Sequence, residues 1–540
     1  MQRLFPGFLC LFATVAFAQA PAAQGGAFQP ADPRLGRLEG KLVNSVTGEP
    51  IRRGNLSLMP NSPAVPFNPA QRLTAQSDAE GVFVFENVEP GTYRLMAERT
   101  GFVRQTYGAR SNPFVGTPIT LTPGQQLKGL EFKLTPQTAI TGSVVDEEGE
   151  PMPEVMVMVT TPSGTVGGPT SLERTNDRGE FRIANLNPGK YLVFARPMRR
   201  PERDSREAYI GTYYPGVTDR VQAVAIEVAA GRDTGGIVVP VRKARVYRIS
   251  GKLSGLTGPL DRVQLTLAPR RNSGDPPFRE SFFSLVRPDG GFELHAVPGE
   301  YDLLALQMAD RRTVMAARVP INLGTEDIEN LVIAYQEPTV LTGSIRVDGE
   351  SDINLQRVQI AFRSETANLF IPPVSIEKDG TFKIDRVSRD LMYFVFQGMP
   401  EGCYARAVML GSQNVLDSGL DLTNAGESVS VEVILSPKAA TVTGAITDGE
   451  KPIPGVNAYL VPQPLSGSRY YLYRQVTTDQ NGQFMLQNIT PGEYRIFATE
   501  ELVPSPLQNP DALKAYLSEA KSISIRESAR EVIELKLPKP

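Results

Sequence analysis

His295 is the one imidazole in 540 residues, so any reaction needing a side-chain base near neutral pH has a single histidine to call on. It stands one and three positions after Leu294 and Phe292, and strand alternation therefore points it outward, beside Glu293, as a solvent-facing residue. A catalytic zinc site built from His ligands is excluded by the count. A Ser-His-Asp triad would need this same residue, and no Gly-x-Ser-x-Gly elbow precedes a helix. The 59 acidic residues leave a carboxylate pair for glycosidic cleavage as an alternative, but no catalytic residue is assigned. Hard oxygens suited to calcium recur at Asn176/Asp177, Asp289, Asp379 and Asp479/Asn481. None has the full loop of alternating acids with a closing Glu, and Asp and Asn favour turns by bonding their own backbone, so these positions read as turn chemistry. No metal and no cofactor are expected.

Aromatic residues offer a different chemistry. Tyr213 and Tyr214 precede Pro215-Gly216 on a long loop, and Tyr470, Tyr471 and Tyr473 read as a strand with Arg469 and Arg474, Tyr471 facing away from Tyr470. Exposed Tyr rings stack on sugars, which makes these five the candidate carbohydrate-binding residues. The competing reading is that they cover loops or contacts between modules. Cys403, in EGCYARAVML, reads as a small buried apolar residue.

The elements that would hold such groups are announced by a repeat. Gly, one spacer, Phe, an alternating apolar stretch, then Pro-Gly, one spacer and Tyr occur at Gly81/Phe83/Pro90/Gly91/Tyr93, Gly179/Phe181/Pro188/Gly189/Tyr191, Gly290/Phe292/Pro298/Gly299/Tyr301 and Gly482/Phe484/Pro491/Gly492/Tyr494, with a degraded copy at Gly380/Phe382/Tyr393. Each copy opens with an apolar residue, a spacer and Gly, at Gly40, Gly142, Gly251, Gly343 and Gly444. The intervals between those glycines are 102, 109, 92 and 101 residues, and 39 to 43 residues separate each from its Phe. A constant spacing of this kind predicts one β module used five times.

Period-two burial supplies the strands. Phe83, Phe85, Val88, Tyr93, Leu95 and Ala97 match Phe181, Ile183, Leu186, Tyr191, Val193 and Ala195 at identical offsets, and the third copy, with Val297 in the place of Val88, is one residue shorter before its Tyr. The reading is a central hairpin around Pro-Gly, a hairpin turn at the marker Gly, and a closing hairpin around Gly124 or Gly231. With the opening strand and a strand near Leu56, Val155 or Val456, this gives about seven strands, the number for a Greek-key sandwich. One short helix is expected near the end, capped by Asn509 with Pro510 first and Leu513, Tyr516 and Leu517 as its apolar stripe.

Composition fits. The 48 Gly and 45 Pro fall at regular intervals as turn punctuation, and Trp is absent. A formal net charge of −3 with no dense basic run argues against nucleic acid and anionic membranes. Residues 1–18, with Arg3, an apolar run from Leu4 to Phe17 and small residues around Ala18, read as a secretory signal. That run is shorter than the roughly 20 residues that span a bilayer, and no transmembrane segment is expected. Cleavage would leave Cys403 the sole thiol, so stability must come from cores rather than disulfides.

At these residues the chain resembles the carboxypeptidase regulatory-like family, a transthyretin-like or prealbumin-like sandwich related to collagen-adhesin B-type repeats and starch-binding-like folds. The stretches carrying the resemblance are ITGSVVDEEGEPMPEVMV with NDRGEFRIANLNPGKYLV, and VTGAITDGEKPIPGVNAYL with NGQFMLQNITPGEYRIFA. The resemblance implies an exported bacterial protein of the envelope or exterior with a structural or binding role, sometimes with affinity for carbohydrate. The zinc domain of the peptidases is missing. Some relatives form Lys-Asn cross-links; Lys41 and Lys252 lie in opening strands, but Leu130 to Leu134 and Val532 to Leu537 contain no Asn.

The expectation is therefore an all-β chain: signal peptide 1–18, linker 19–35, and five seven-stranded Ig-like or prealbumin-like Greek-key sandwiches at 36–136, 137–243, 244–337, 338–438 and 439–540. Short Pro-containing joints predict a semi-rigid curved rod, on the order of 150 Å long. The expected role is a non-catalytic exported scaffold or adhesive binding protein of the cell envelope, with an envelope protein or polysaccharide as partner and no nucleic acid. A carbohydrate-binding protein and a glycoside hydrolase are the alternatives, and oligomeric state is left open.

Overall fold

The computed structural model describes residues 33–61, 72–110, 112–162, 172–197, 206–255, 263–270, 282–309, 312–349, 353–364, 370–500 and 513–537. The expected signal sequence, most of the 19–35 linker, and Asn509 and Pro510 lie outside the described residues.

The opening strand of each copy sits in the middle of a sheet. Gly36–Asn44 pairs antiparallel with Val82–Val88 on one side and parallel with Gln126–Leu134 on the other. Facing it is a five-stranded sheet in which Asn55–Pro60 lies between Leu73–Gln76 and Gly91–Glu98, and Gln105–Thr106 and Ile119–Leu121 pair along the far side of Gly91–Glu98. Leu38, Leu42, Phe83, Phe85 and Phe132 from the first sheet meet Leu56, Leu58, Tyr93 and Leu95 from the second in one buried cluster. The arrangement recurs down the chain. Thr138–Val145, Tyr247–Ser254, Thr339–Val347 and Ala440–Thr447 each pair antiparallel with a strand that follows a marker Gly and parallel with a closing strand. A separate buried cluster accompanies each. The fold is thus almost entirely β-strand, organised as tandem sandwiches of small sheets.

The register accounts for the narrow range of the Gly-to-Phe spacing. Gly40 lies opposite Phe83, Gly142 opposite Phe181, Gly251 opposite Phe292, Gly343 opposite Phe382 and Gly444 opposite Phe484. A Cβ at Gly40 would meet the tip of the Phe83 ring at 2.5 Å and the Leu130 carbonyl at 2.6 Å. The missing side chain is therefore the slot for the aromatic ring, and the pair must keep its register for either residue to fit. The marker Gly does a second job. Gly81, Gly179, Gly290, Gly380 and Gly482 all have positive φ, and their carbonyls accept the amides of Leu42, Val144, Leu253, Ile345 and Ile446, tying each turn to its opening strand. The motif Tyr closes the unit: the hydroxyls of Tyr93, Tyr191, Tyr301 and Tyr494 donate to the carbonyls of Glu89, Asn187, Val297 and Thr490, four residues earlier.

Several expectations are corrected. The strands on either side of Pro-Gly do not form a hairpin. Val82–Val88 belongs to the opening-strand sheet and Gly91–Glu98 to the facing one, so Pro90 and Gly91 make an arch from sheet to sheet. The same correction applies at every other copy of the pair. Pro188 and Gly189 carry the chain from the sheet of Glu180–Leu186 to that of Gly189–Arg196. Pro298 and Gly299 carry it from the sheet of Gly291–Ala296 to that of Gly299–Ala309, and Pro491 and Gly492 from that of Gln483–Ile489 to that of Gly492–Thr499. Alternation is identical for arch and hairpin when both strands point at one core, which is why the pattern could not tell them apart. The closing pair is likewise a crossover, since Ile119–Leu121 and Gln126–Leu134 lie in opposite sheets.

Two offsets also differ from expectation. In the degraded copy Tyr393 is only half-buried, while Met392, ten residues after Phe382, is fully buried where the other copies place Tyr. In the third copy Ala296 rather than Val297 points inward. The first, second and fifth copies carry a bulge before the arch, with Asn87, Asn185 and Asn488 at positive φ, and the third pairs straight through from Tyr247↔Ala296 to Lys252↔Gly291. Its missing residue is the bulge. The helix near the end is a single turn, Lys514–Leu517, with Leu513, Tyr516 and Leu517 against Tyr459, Val461 and Phe497.

The semi-rigid rod is also corrected. Residues of the first and last copies touch: Gln480 hydrogen-bonds the Thr120 backbone, and Arg110 pairs with Glu500. These contacts bring the two ends of the array together instead of leaving them at opposite ends of a rod.

Candidate functional site

His295 lies on Gly291–Ala296, opposite Arg248, with its Nε2 3.8 Å from a Glu293 carboxylate oxygen. Burial pulls its pKa below the ordinary value, with Glu293 opposing, so the ring is neutral at physiological pH. The turn oxygens proposed as hard ligands are engaged by the backbone instead. Asn176 Oδ1 accepts the amides of Arg178 and Glu180 and Asp479 Oδ1 those of Asn481 and Gln483; Asp289 and Asp379 cap Gly291 and Thr381 in the same way, and at the equivalent turn of the first copy, not among those ligands, Asp78 Oδ1 accepts the Glu80 and Val82 amides. Among the described residues no group of three or more His, Cys, Asp or Glu side chains is placed to hold a metal ion.

The Tyr residues fall into two separate places. Tyr213 is half-buried, its ring 4.6 Å from that of Phe194, and Tyr214 packs on the cluster around Tyr191 and Val193. Tyr471 packs against two clusters at once, those around Phe362 and Phe484, and its hydroxyl bonds Asp417. Tyr473 lies against the Tyr459/Phe497 cluster, its hydroxyl sharing a turn with the Ser466 backbone. The side chain of Tyr470 lies outside the described residues. The expected strand here is corrected: Tyr470–Leu472 is a turn of 3-10 helix and the strand begins at Arg474. Three-residue periodicity removes the opposed faces expected of Tyr470 and Tyr471. Cys403 is fully buried, and burial pushes its thiol up in pKa.

Sequence reasoning named Arg474 only as a neighbour of the Tyr residues and missed its role: its guanidinium donates to the carbonyls of Tyr471, Tyr473 and Asn488 rather than to a carboxylate. It braces the junction where Tyr471 and the core Tyr494 meet. Burial pushes Tyr494 up to about 12 and raises Tyr471 as well, the latter aided by Asp417. Above the ordinary phenol value of about 10 the unfolded chain gives up its tyrosine protons while the folded core keeps them. Stability held in full below that point should therefore fall as pH rises toward 12, with Tyr494 accounting for about 3 kcal/mol. Parallel thermal melts across this range check it, and Tyr494→Phe should flatten the slope.

Residues 37–135 and 139–225 match the family model described as carboxypeptidase regulatory-like domain. Two carboxypeptidase regulatory-like domains are thus present, within residues 37–225. The Gly-Phe pairs of those two domains recur at Gly251/Phe292, Gly343/Phe382 and Gly444/Phe484, beyond the matched residues. Human BOS complex subunit NOMO1 is 25% identical over 271 residues, which cover 47% of this chain and 21% of that protein. The mouse subunit is 23% identical over 269 residues with the same coverage. The matched region thus spans about a fifth of these relatives. Among solved structures, the minor pilin GBS52 of Streptococcus agalactiae aligns at 13% identity and a TM-score of 0.23, covering 38% of this chain and 96% of that one. At that score the superposition establishes no shared overall arrangement. No helix among the described residues is long and apolar enough to cross a membrane.

Proposed function

We propose that the chain is a non-catalytic scaffold of the bacterial cell envelope, exported and built from five tandem sandwiches at 36–136, 137–243, 244–337, 338–438 and 439–540, each a seven-stranded Greek key elaborated by short strands. The observation that carries this reading is that the repeated residues all serve the fold. Gly and Phe interlock, Tyr bonds the arch, and the turn acids cap amides, leaving no recurring group free for chemistry. Function then resides in what differs between units, namely their loops and exposed strand edges. Such edges take partner proteins by strand addition, with main-chain bonds giving affinity and alternate side chains giving specificity. The half-buried Tyr residues favour a protein over a polysaccharide as partner, because ring faces held in packing are withdrawn from sugars.

The test is affinity capture from envelope extract with the full chain as bait, alongside a glycan array and a glycoside panel. Specific retention of one or a few envelope proteins with both panels blank is the expected result. Turnover on any glycoside, or glycan retention lost in Tyr213→Ala/Tyr214→Ala, would replace the reading.

A further inference from the structure

The contact between the first and last sandwiches is small, polar and shaped on both sides. Gln480 stands at the turn before Gly482 and uses both ends of its amide: its Oε1 accepts the Thr120 amide at 2.8 Å and its Nε2 donates to the Thr120 carbonyl at 2.7 Å. Thr120 is the middle residue of Ile119–Leu121, the outermost pairing along one end of Gly91–Glu98. Gln480 thus satisfies the edge of that sheet as a neighbouring strand would. Beside it Arg110 and Glu500 form an ion pair, and Gly108, Gly116, Gly455 and Asn457 line the cleft between the two units.

Gly455 gives the sequence side of the argument. It occupies a turn position with φ +71, and its amide bonds the Thr478 carbonyl. The same position is Arg53 in the first copy, bonded to Ser77, and Glu154 in the second, bonded to Thr175, both at positive φ. The turn therefore accepts a side chain. In the last copy, unlike the first and second, a neighbour crowds one: a Cβ at 455 would lie 2.6 Å from Thr117 Oγ1. The buried cores stop short of this contact, whereas Tyr471 joins two of them at the adjoining junction. A polar contact without a shared core separates far more readily than such a junction.

We propose that the first and last sandwiches form an intramolecular latch that closes the array into a ring and opens reversibly, with Gln480 holding it shut at the Thr120 edge. The latch rests only on the contact between the two units, and it stands or falls separately from the envelope-scaffold reading.

Small-angle scattering of the full chain tests it. Gly455→Glu installs the residue that the second copy already holds at this turn, so the last sandwich should fold and melt as before while the radius of gyration rises. Gln480→Ala removes both amide bonds and should lower the closed-to-open ratio about tenfold to thirtyfold. Glu154→Gly, the reverse exchange in the second copy, should leave the radius unchanged. A Cβ at 455 lies 3.9 Å from Thr117 Cβ, within the range a disulfide bridges. Thr117→Cys/Gly455→Cys should therefore oxidise within one chain at a rate independent of protein concentration, and at least tenfold more slowly when Gln480→Ala is added. An unchanged radius in both Gly455→Glu and Gln480→Ala would overturn the latch. So would cross-linking that occurs only between chains.

Discussion

Gly444→Ala is expected to abolish the cooperative unfolding of the last sandwich while the remaining transitions persist. A Cβ at this position would stand 1.8 Å from the Ile533 carbonyl oxygen and 2.9 Å from the tip of the Phe484 ring. The oxygen belongs to the parallel partner strand, pinned on both sides by the pairs Thr443↔Val532 and Ala445↔Glu534, so it cannot withdraw without breaking the ladder. Overpacking that the backbone cannot relieve costs about 3 kcal/mol or more, a large part of the roughly 5 to 15 kcal/mol that holds a domain together. Gly426 is the comparison, since nothing lies within 4 Å of a Cβ there, and Gly426→Ala should be neutral. Differential scanning calorimetry with limited proteolysis reads both. Equal melting profiles for the two variants would disprove the close-approach argument.

Phe181→Ala is expected to have a comparable effect in the second sandwich. The ring is 4% exposed, fills the slot opposite Gly142 and packs with Ile140, Ile183 and Tyr191 in one cluster. Truncating a buried Phe costs about 3 to 5 kcal/mol, because the transfer energy is lost and the cavity collapses only in part. Here collapse is hindered further, since Gly142 has no side chain with which to fill the space. The measurement is a denaturant titration of the second sandwich. A loss below about 1 kcal/mol would mean that the Gly-Phe pair is not the keystone described above.

These effects rest on residues already prominent in the sequence, and that part of the fold was legible. Alternation named the inward side chains of Val82–Val88 and Gly91–Glu98, and the similar spacing of Gly40 to Phe83 and Gly142 to Phe181, 43 and 39 residues, hid a direct register pair. What alternation lacks is the identity of the hydrogen-bonded neighbour, and so the arches at Pro90, Pro188, Pro298 and Pro491 passed for hairpins. The single deletion in the third copy was visible, yet its meaning depended on bulges at Asn87, Asn185 and Asn488 that have no alternating signature. Tyr471 and Tyr473 looked like a display of rings because their packing partners lie far away in sequence.

The encounter of Thr120 with Gln480 spans 360 residues and leaves no local trace. One signal was available, the Gly at 455 where equivalent turns carry Arg53 and Glu154.

The parallel pairing of first and last strands in each sandwich has a mechanical consequence. The chain enters Gly36–Asn44 at one end and leaves Gln126–Leu134 at the opposite end, with seven matched Cα partners between them. Tension transmitted along the polypeptide therefore slides these two strands past each other instead of peeling them apart. Every rung of the ladder shares the load, and a string of such units resists extension until one gives way as a whole.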